Sequence, residues 1–320
     1  MIRQTSDTYS DPCVSYILPT YNRPQLLLKC LQSIAAQRRK DYELIVIDDC
    51  STTDTAVVIE EFNSGNKEKI DLVYIRNESN LGFYASLNTG LEHSRGKYLC
   101  FMADDDILLE NHLEKALKIL EADENIALFS CDCFQIDDKG QRSSGHSYLE
   151  DYSRRENFVL TSGIKDFKYL VAYGAISFGA AILRKSVIND IGFLNPKYRI
   201  AGDVDFWLRI ALSKYKVYFL KESLFLVRNH EDCITRKNII EFYGERINIL
   251  EQVLIKYSHL LDKADLRLVR KKISSEQLYL SITYFKKVDI WAGLKYLFKA
   301  NCGSGYVVME YISKRMKRKI

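Results

Sequence analysis

The strongest constraint on this chain is an alternation. Between Cys13 and Cys133, short apolar runs take turns with segments of helical spacing. Val14–Leu18 closes on Pro19, and Glu43–Ile47 enters Asp48-Asp49. Leu72–Arg76, Tyr98–Met102 and Ile126–Cys133 continue the series. Runs this short, bounded by turn residues, read as buried strands. Between them, Arg23–Gln37, Thr53–Phe62, Phe83–His93 and Glu110–Ala122 read as helices. In the first, Leu26, Leu27, Cys30, Leu31, Ile34 and Ala35 share one face. A βαβα series has few packing solutions, because each crossover helix must cover the sheet it spans. The expected fold is α/β, with a mostly parallel, Rossmann-like central sheet flanked by helices. In such sheets ligands gather at the carboxyl ends of strands. Three strands here end in polar or acidic clusters: Pro19-Thr20-Tyr21-Asn22, Asp48-Asp49 and Asp104-Asp105-Asp106.

Further along, Gly140–Ser162 is polar and reads as a flap. Phe178–Arg184, Val217–Leu220 and Leu224–Arg228 read as strands, and Asp203–Leu212 as a helix. After about Thr235 the texture changes. Ile239–Lys256, Asp262–Phe285 and Trp291–Ala300 all show helical spacing, and no proline follows Pro196. The expected layout of the 320 residues is a flexible tail over 1–12, a catalytic-type domain over 13–235 and a helical appendage over 236–320.

Composition narrows the function. The 46 Lys+Arg against 42 Asp+Glu give a net charge of +4, which argues against a nucleic-acid binder. The eight cysteines are scattered with no CxxC pair, so buried free thiols in a reducing compartment are expected rather than zinc or disulfides. Met1–Asp11 has no apolar signal segment. No window reaches the roughly 18–20 apolar residues needed to span a bilayer. A cytoplasmic location is expected. The last eight residues, Ser313–Ile320, hold five basic side chains, and Val307, Val308, Tyr311 and Ile312 fall on one helical face just before them. Such a terminus suits either solvent or an anionic inner membrane face.

The carboxylates carry the chemistry. Asp104-Asp105-Asp106 follows an apolar strand, where three adjacent charges repel unless a cation is near. Two readings stand: hard oxygen ligands for Mg²⁺ or Mn²⁺ bridging a diphosphate, or acids decorating a helix start. Asp203 and Asp205 open a helix, and either serves as a cap or as a base. His230 follows a strand end, where an imidazole can meet phosphate or metal.

These motifs together resemble the family 2 glycosyltransferases, nucleotide-sugar enzymes with the GT-A fold. Val14–Arg23 is similar to that family's opening strand, and Tyr42–Asp54 to its second-strand motif, with Cys50 where glycine is usual. Asn80-Leu81-Gly82 and Asn88-Thr89-Gly90 match its third, glycine-bearing segment, and Tyr98–Asp106 the strand that carries its metal-binding DxD. Ala180–Phe193 resembles the acceptor-side strand and turn, and Asp203–Arg209 the base helix. Two departures stand out: Ala103 where the first DxD aspartate is common, and Gly202 where glutamate often precedes the base.

The resemblance implies roles for particular residues. Asp49 would bind the nucleotide base in a pocket shaped by Pro19, Tyr21, Asn22 and Gly82. Asp104 would meet the ribose, Asp105 would be the principal Mg²⁺ or Mn²⁺ ligand with Asp106 and His230 beside it and Asp104 as the alternative second carboxylate, and Asp203 would be the general base, with Asp205 as its substitute. The implied reaction is inverting transfer from a UDP-sugar, ahead of a dTDP-sugar, to a glycan or lipid-linked oligosaccharide in surface polysaccharide synthesis. A non-catalytic nucleotide-sugar-binding subunit is the alternative.

Overall fold

In the computed structural model, described over residues 2–4, 11–66, 70–150, 161–173, 178–230 and 233–303, ten strands form one mixed sheet. They are β1 (Ile2–Gln4), β2 (Val14–Thr20), β3 (Tyr42–Asp48), β4 (Asp71–Arg76), β5 (Tyr98–Phe101), β6 (Ile107–Leu108), β7 (Ile126–Ile136), β8 (Gly163–Lys165), β9 (Ile182–Arg184) and β10 (Lys216–Arg228). Their order is β1-β4-β3-β2-β5-β9-β7-β10-β6, with β8 on β10. The block β4-β3-β2-β5 is parallel throughout, and β7 and β10 form a second parallel pair. Between them β9 runs antiparallel to both β5 and β7. The expected parallel sheet is therefore found in the first half, and the second half is mixed.

Helices α1 (Pro24–Ala35), α2 (Thr55–Gly65), α3 (Phe83–His93) and α4 (His112–Ala122) are the crossovers. Pro24 opens α1, where its fixed φ and missing N–H cost nothing. The Asp54 carboxylate caps α2 by accepting from Val57 N at 3.4 Å. One face of α1 (Leu27, Cys30, Leu31, Ile34) meets Tyr16, Leu18, Leu44 and Val46 of the sheet in a buried cluster. Each large apolar side chain buried there contributes about 1.5–3 kcal/mol. Close packing is tight at two glycines: a Cβ at Gly96 would lie 2.5 Å from the Ser15 backbone N, and one at Gly90 would press on Ile17 and Ile47 where α3 lies on β2 and β3. All eight cysteines are free thiols; Cys30, Cys100, Cys131 and Cys133 are buried, but Cys13, Cys50 and Cys233 are half-buried and Cys302 is exposed.

The remaining helices are α5 (Phe167–Tyr173), α6 (Val187–Ile191), α7 (Gly202–Ala211), α8 (Ile234–Lys237), α9 (Ile239–Lys256), α10 (Lys263–Lys286) and α11 (Ile290–Gly303). The chain divides into two compact units. The first, Met1–Asp166 with Ala175–Arg199 and Arg209–His230, holds the whole sheet. The second, Phe167–Gly174 with Ile200–Leu208 and Glu231–Ile320, is helical, with α9, α10 and α11 packed in series and α5 against α10. So the helical unit draws two segments from inside the 13–235 range, and one of them carries Asp203.

Several expectations change. The tail expected to be flexible contains β1, which pairs antiparallel with β4. Only Ile182–Arg184 of Phe178–Arg184 is strand; Phe178–Ala180 is a single 3-10 turn. The two strands expected at 217–220 and 224–228 are one strand, β10. Its polar stretch Lys221-Glu222-Ser223 coincides with register shifts, after which pairing to β7 resumes. Residues 151–160 of the polar flap and the basic segment 304–320 lie outside the described residues. Among the described residues no helix is long and apolar enough to cross a membrane.

Candidate functional site

The carboxyl ends of β2, β3 and β5 are neighbours because these strands are adjacent and in parallel register. The segments just beyond them are tied together by side chains. Asn22 sits at φ +55, a left-handed conformation that asparagine tolerates. Its Oδ1 accepts from Thr52 N at 2.7 Å and Thr53 N at 3.3 Å, and its own N–H donates to Ser51 Oγ at 3.0 Å. Asn22 thus clamps the β2 end to the β3–α2 loop. Asp48 is fully buried and accepts from Tyr74 OH, Arg76 Nη1 and Ser51 N, each at 2.8 Å. Pro19 is buried in β2, beyond the last residue paired to β5, so its missing N–H breaks no ladder there. Tyr21 is exposed.

Asp49 is buried and organises the entry to α3. Its Oδ1 accepts from Asn77 Nδ2 at 2.9 Å and Leu81 N at 2.8 Å, and its Oδ2 from Gly82 N at 2.9 Å. Gly82 needs φ +86 to present that N–H. The pairing of Asp49 with Gly82, both expected in one pocket, is therefore direct. Asn77 was missed from the sequence. Its partner lies 28 positions away, and nothing local marks it.

Arg23 joins two aspartates of the triplet, and the third turns elsewhere. Asp104 is buried, accepts from Thr20 Oγ1 at 2.8 Å and pairs with Arg23 Nη1 at 3.2 Å. Burial, then the Asp105 charge, push its carboxyl up to about 6, against the pull of Arg23 and Thr20. Asp105 is the least buried of the three. Its Oδ2 lies 2.7 Å from Arg23 Nη1 and 3.0 Å from His230 Nε2. Burial alone would raise its carboxyl, but the His230 hydrogen bond and the Arg23 charge outweigh it and hold it below the ordinary value. Asp106 turns away and accepts from Arg228 N at 3.0 Å. Burial and the Asp105 charge push it well above the ordinary carboxylate range. The Arg228 side chain donates to the carbonyls of Asp105, Asp137 and Asp138, fixing the end of β10 that delivers His230.

Asp105, Asp106 and His230 were expected to share one metal. They do not converge: among the described residues no group of three or more His, Cys, Asp or Glu is placed to hold an ion. The chain turns at Asp104-Asp105 after β5, so Arg23 takes those two carboxylates while Asp106 is held by the Arg228 backbone. What remains is a carboxylate and an imidazole 3.0 Å apart. That set fits Mg²⁺ or Mn²⁺, which take one or two side chains and complete their shell from phosphate and water. Arg23, unassigned from the sequence, brings a permanent cation to the same oxygen.

Asp203 lies in the first turn of α7 and is half-buried. Within its unit, Glu245 of α9 accepts from Ile200 N at 3.0 Å and Ala201 N at 2.7 Å, holding the turn just before Asp203. The motif residues Arg184 and Asn88 are structural. Arg184 is buried against the Leu120, Asp123 and Ile126 carbonyls. Asn88 exchanges hydrogen bonds with the Leu194 backbone at 2.8 and 3.1 Å.

Comparison with known proteins agrees with this architecture. The family model for glycosyl transferase family 2 matches residues 15–192. The chain belongs to that family. An uncharacterised glycosyltransferase of Methanocaldococcus jannaschii is 29% identical over 72% of this chain and 78% of its own length. Two solved structures share the GT-A fold. One is S. aureus TarS 1–349 in complex with UDP-GlcNAc, with a TM-score of 0.62 and 17% identity over 91% of this chain and 92% of that one. The other is the mannosyltransferase PcManGT of Pyrobaculum calidifontis with GDP-Man and Mn²⁺, with a TM-score of 0.63 and 14% identity over 94% and 80%.

Proposed function

We propose that the chain is an inverting, metal-dependent glycosyltransferase of the hexosyl or N-acetylhexosaminyl class. Its donor is a UDP-sugar, ahead of a dTDP-sugar, and its acceptor a hydroxyl of a glycan or lipid-linked oligosaccharide, as one step in building a surface polysaccharide. The observation that carries the reading is the Arg23–Asp105–His230 cluster at the strand ends, on the same sheet edge as Asp49. The neighbour that binds UDP-GlcNAc supports a uridine donor.

Asp49 takes two protein donors on Oδ1 and one on Oδ2, so Oδ2 would receive the imide N–H of the base. Pro19, Tyr21 and Asn22 would flank it, and Asp104 would meet the ribose. Arg23 would offset charge on the diphosphate. Mg²⁺ or Mn²⁺ held by Asp105 and His230 would neutralise charge developing on the leaving group. Asp203 would take the proton of the acceptor hydroxyl. That oxygen bonds to the anomeric carbon as the bond to the β-phosphate breaks, and UDP departs with the bonding pair. Attack opposite the leaving group inverts the anomeric centre.

The test is UDP release from UDP-sugars in Mn²⁺, with GDP-mannose in parallel, for the wild type and Asp203→Asn. The variant should lose about 100-fold or more in turnover while binding UDP as before. Unchanged turnover would remove Asp203 from its role, and turnover of the GDP-sugar alone would overturn the uridine donor.

A further inference from the structure

The tip of the α10–α11 hairpin is built unlike a solvent-facing turn. Every residue from Phe285 to Trp291 is exposed: Phe, Lys, Lys, Val, Asp, Ile, Trp. The hairpin itself is well made. Tyr284 stacks on Tyr296 at 5.6 Å, Ser281 Oγ donates to Gly293 O at 2.8 Å, and Leu278 and Ala300 are buried with Ile282 and Leu297 against them. That inner face leaves a second apolar face outside. Ile290, Trp291, Leu294 and Phe298 fall within an arc of about 100° at the helical spacing of about 100° per residue. Trp291 is 84% exposed, Phe298 70% and Val288 79%. Val288 also adopts φ +65, a left-handed conformation that a β-branched residue resists.

Charge says what covers this face. Lys286, Lys287, Lys295 and Lys299 rim it, against Asp289 alone. From Phe285 to Ile320 the sequence holds nine Lys and Arg against two acids. The other 284 residues hold the remaining 37 of 46 basic residues and 40 of 42 acids. The net positive charge of the chain therefore lies wholly at this end. A wedge of Trp, Phe, Leu and Ile rimmed by lysine matches a surface that is apolar beneath and anionic at its boundary. We propose that the hairpin tip, Val288 to Phe298, docks on anionic lipid bilayers, with Trp291 and Phe298 as its inserted anchors. This does not depend on the transfer reading, since the face belongs to α10 and α11 alone.

The chain carries its own reporter. It has two tryptophans, Trp207 at 5% exposure and Trp291. The experiment adds vesicles of phosphatidylcholine, with or without phosphatidylglycerol, to the full chain and follows sedimentation and tryptophan emission. The expected result is co-sedimentation and a blue shift with phosphatidylglycerol only. Trp291→Phe should still sediment but lose the shift. The Trp291→Ser, Phe298→Ser double variant should bind at least about tenfold more weakly. Each of Lys287→Glu, Lys295→Glu and Lys299→Glu should cost about fivefold or more. An unchanged melting temperature shows that these variants remain folded. Equal binding by the double variant, equal binding to pure phosphatidylcholine, or no binding would overturn the proposal. So would a concentration-dependent dimer that shields Trp291 without lipid, which would assign the face to a second copy.

Discussion

At the scale of single residues, two strained positions close the site's loops. Asn22 and Cys50 both lie at positive φ, +55 and +64. Asn22 repays the strain with hydrogen bonds to Thr52, Thr53 and Ser51. Cys50 has only a 3.6 Å contact in which its thiol donates weakly to Glu78 O. Glycine adopts this conformation without the steric cost of about 1–2 kcal/mol, though it gives back part of that gain through its freedom in the unfolded chain. Cys50→Gly should therefore raise stability by about 0.5–1 kcal/mol in denaturant unfolding and leave nucleotide binding intact. A loss of more than about 1 kcal/mol would show that the thiol is used.

At the scale of elements, β7 and the segment that follows it are joined by one buried carboxylate. Asp132 accepts from the Ser147 hydroxyl, from Cys133 N at 2.8 Å and from Leu149 N at 3.1 Å. Burial raises its carboxyl above the ordinary value, and these three donors only partly oppose that. The protonated form is therefore favoured by the fold. Its contribution to stability is complete below the unfolded value, near 4, and is lost as pH rises through the folded one. Asp132→Asn keeps an acceptor for both N–H groups and an amide for Ser147, and it does not titrate. The melting temperature of this variant minus that of the wild type should become more positive from pH 4 to pH 7; a flat difference would contradict the buried charge. Legibility in the sequence also varied by element. The parallel block was readable because its strands are buried on both faces and each ends in turn residues. β10 read as two strands because Lys221-Glu222-Ser223 interrupts its apolar pattern, while pairing to β7 continues through register shifts. β1 was invisible because Ile2-Arg3-Gln4 has no apolar run and is ordered by β4.

At the scale of the whole molecule, the order of motifs along the chain identified the family, but not how the site is wired. Arg23, Thr20 and Arg228 bind the aspartate triplet from 81 to 123 positions away, and separations of that kind leave no local mark. Three adjacent carboxylates looked like one ligand set, but Arg23 bridges Asp104 and Asp105 while Asp106 is held by the Arg228 backbone. The helical unit was expected after residue 235, yet it includes Ile200–Leu208 and with it Asp203. The central claim is that the nucleotide diphosphate and its cation are held through Asp105 and His230, with Asp106 uninvolved. Titration calorimetry of UDP with Mn²⁺ or with chelator tests it directly. Manganese should tighten UDP binding at least about tenfold, the equivalent of about 1.4 kcal/mol, in the wild type and in Asp106→Asn. That gain should vanish in Asp105→Asn and in His230→Ala. A gain that survives either of those substitutions, or that is lost in Asp106→Asn, would contradict the account.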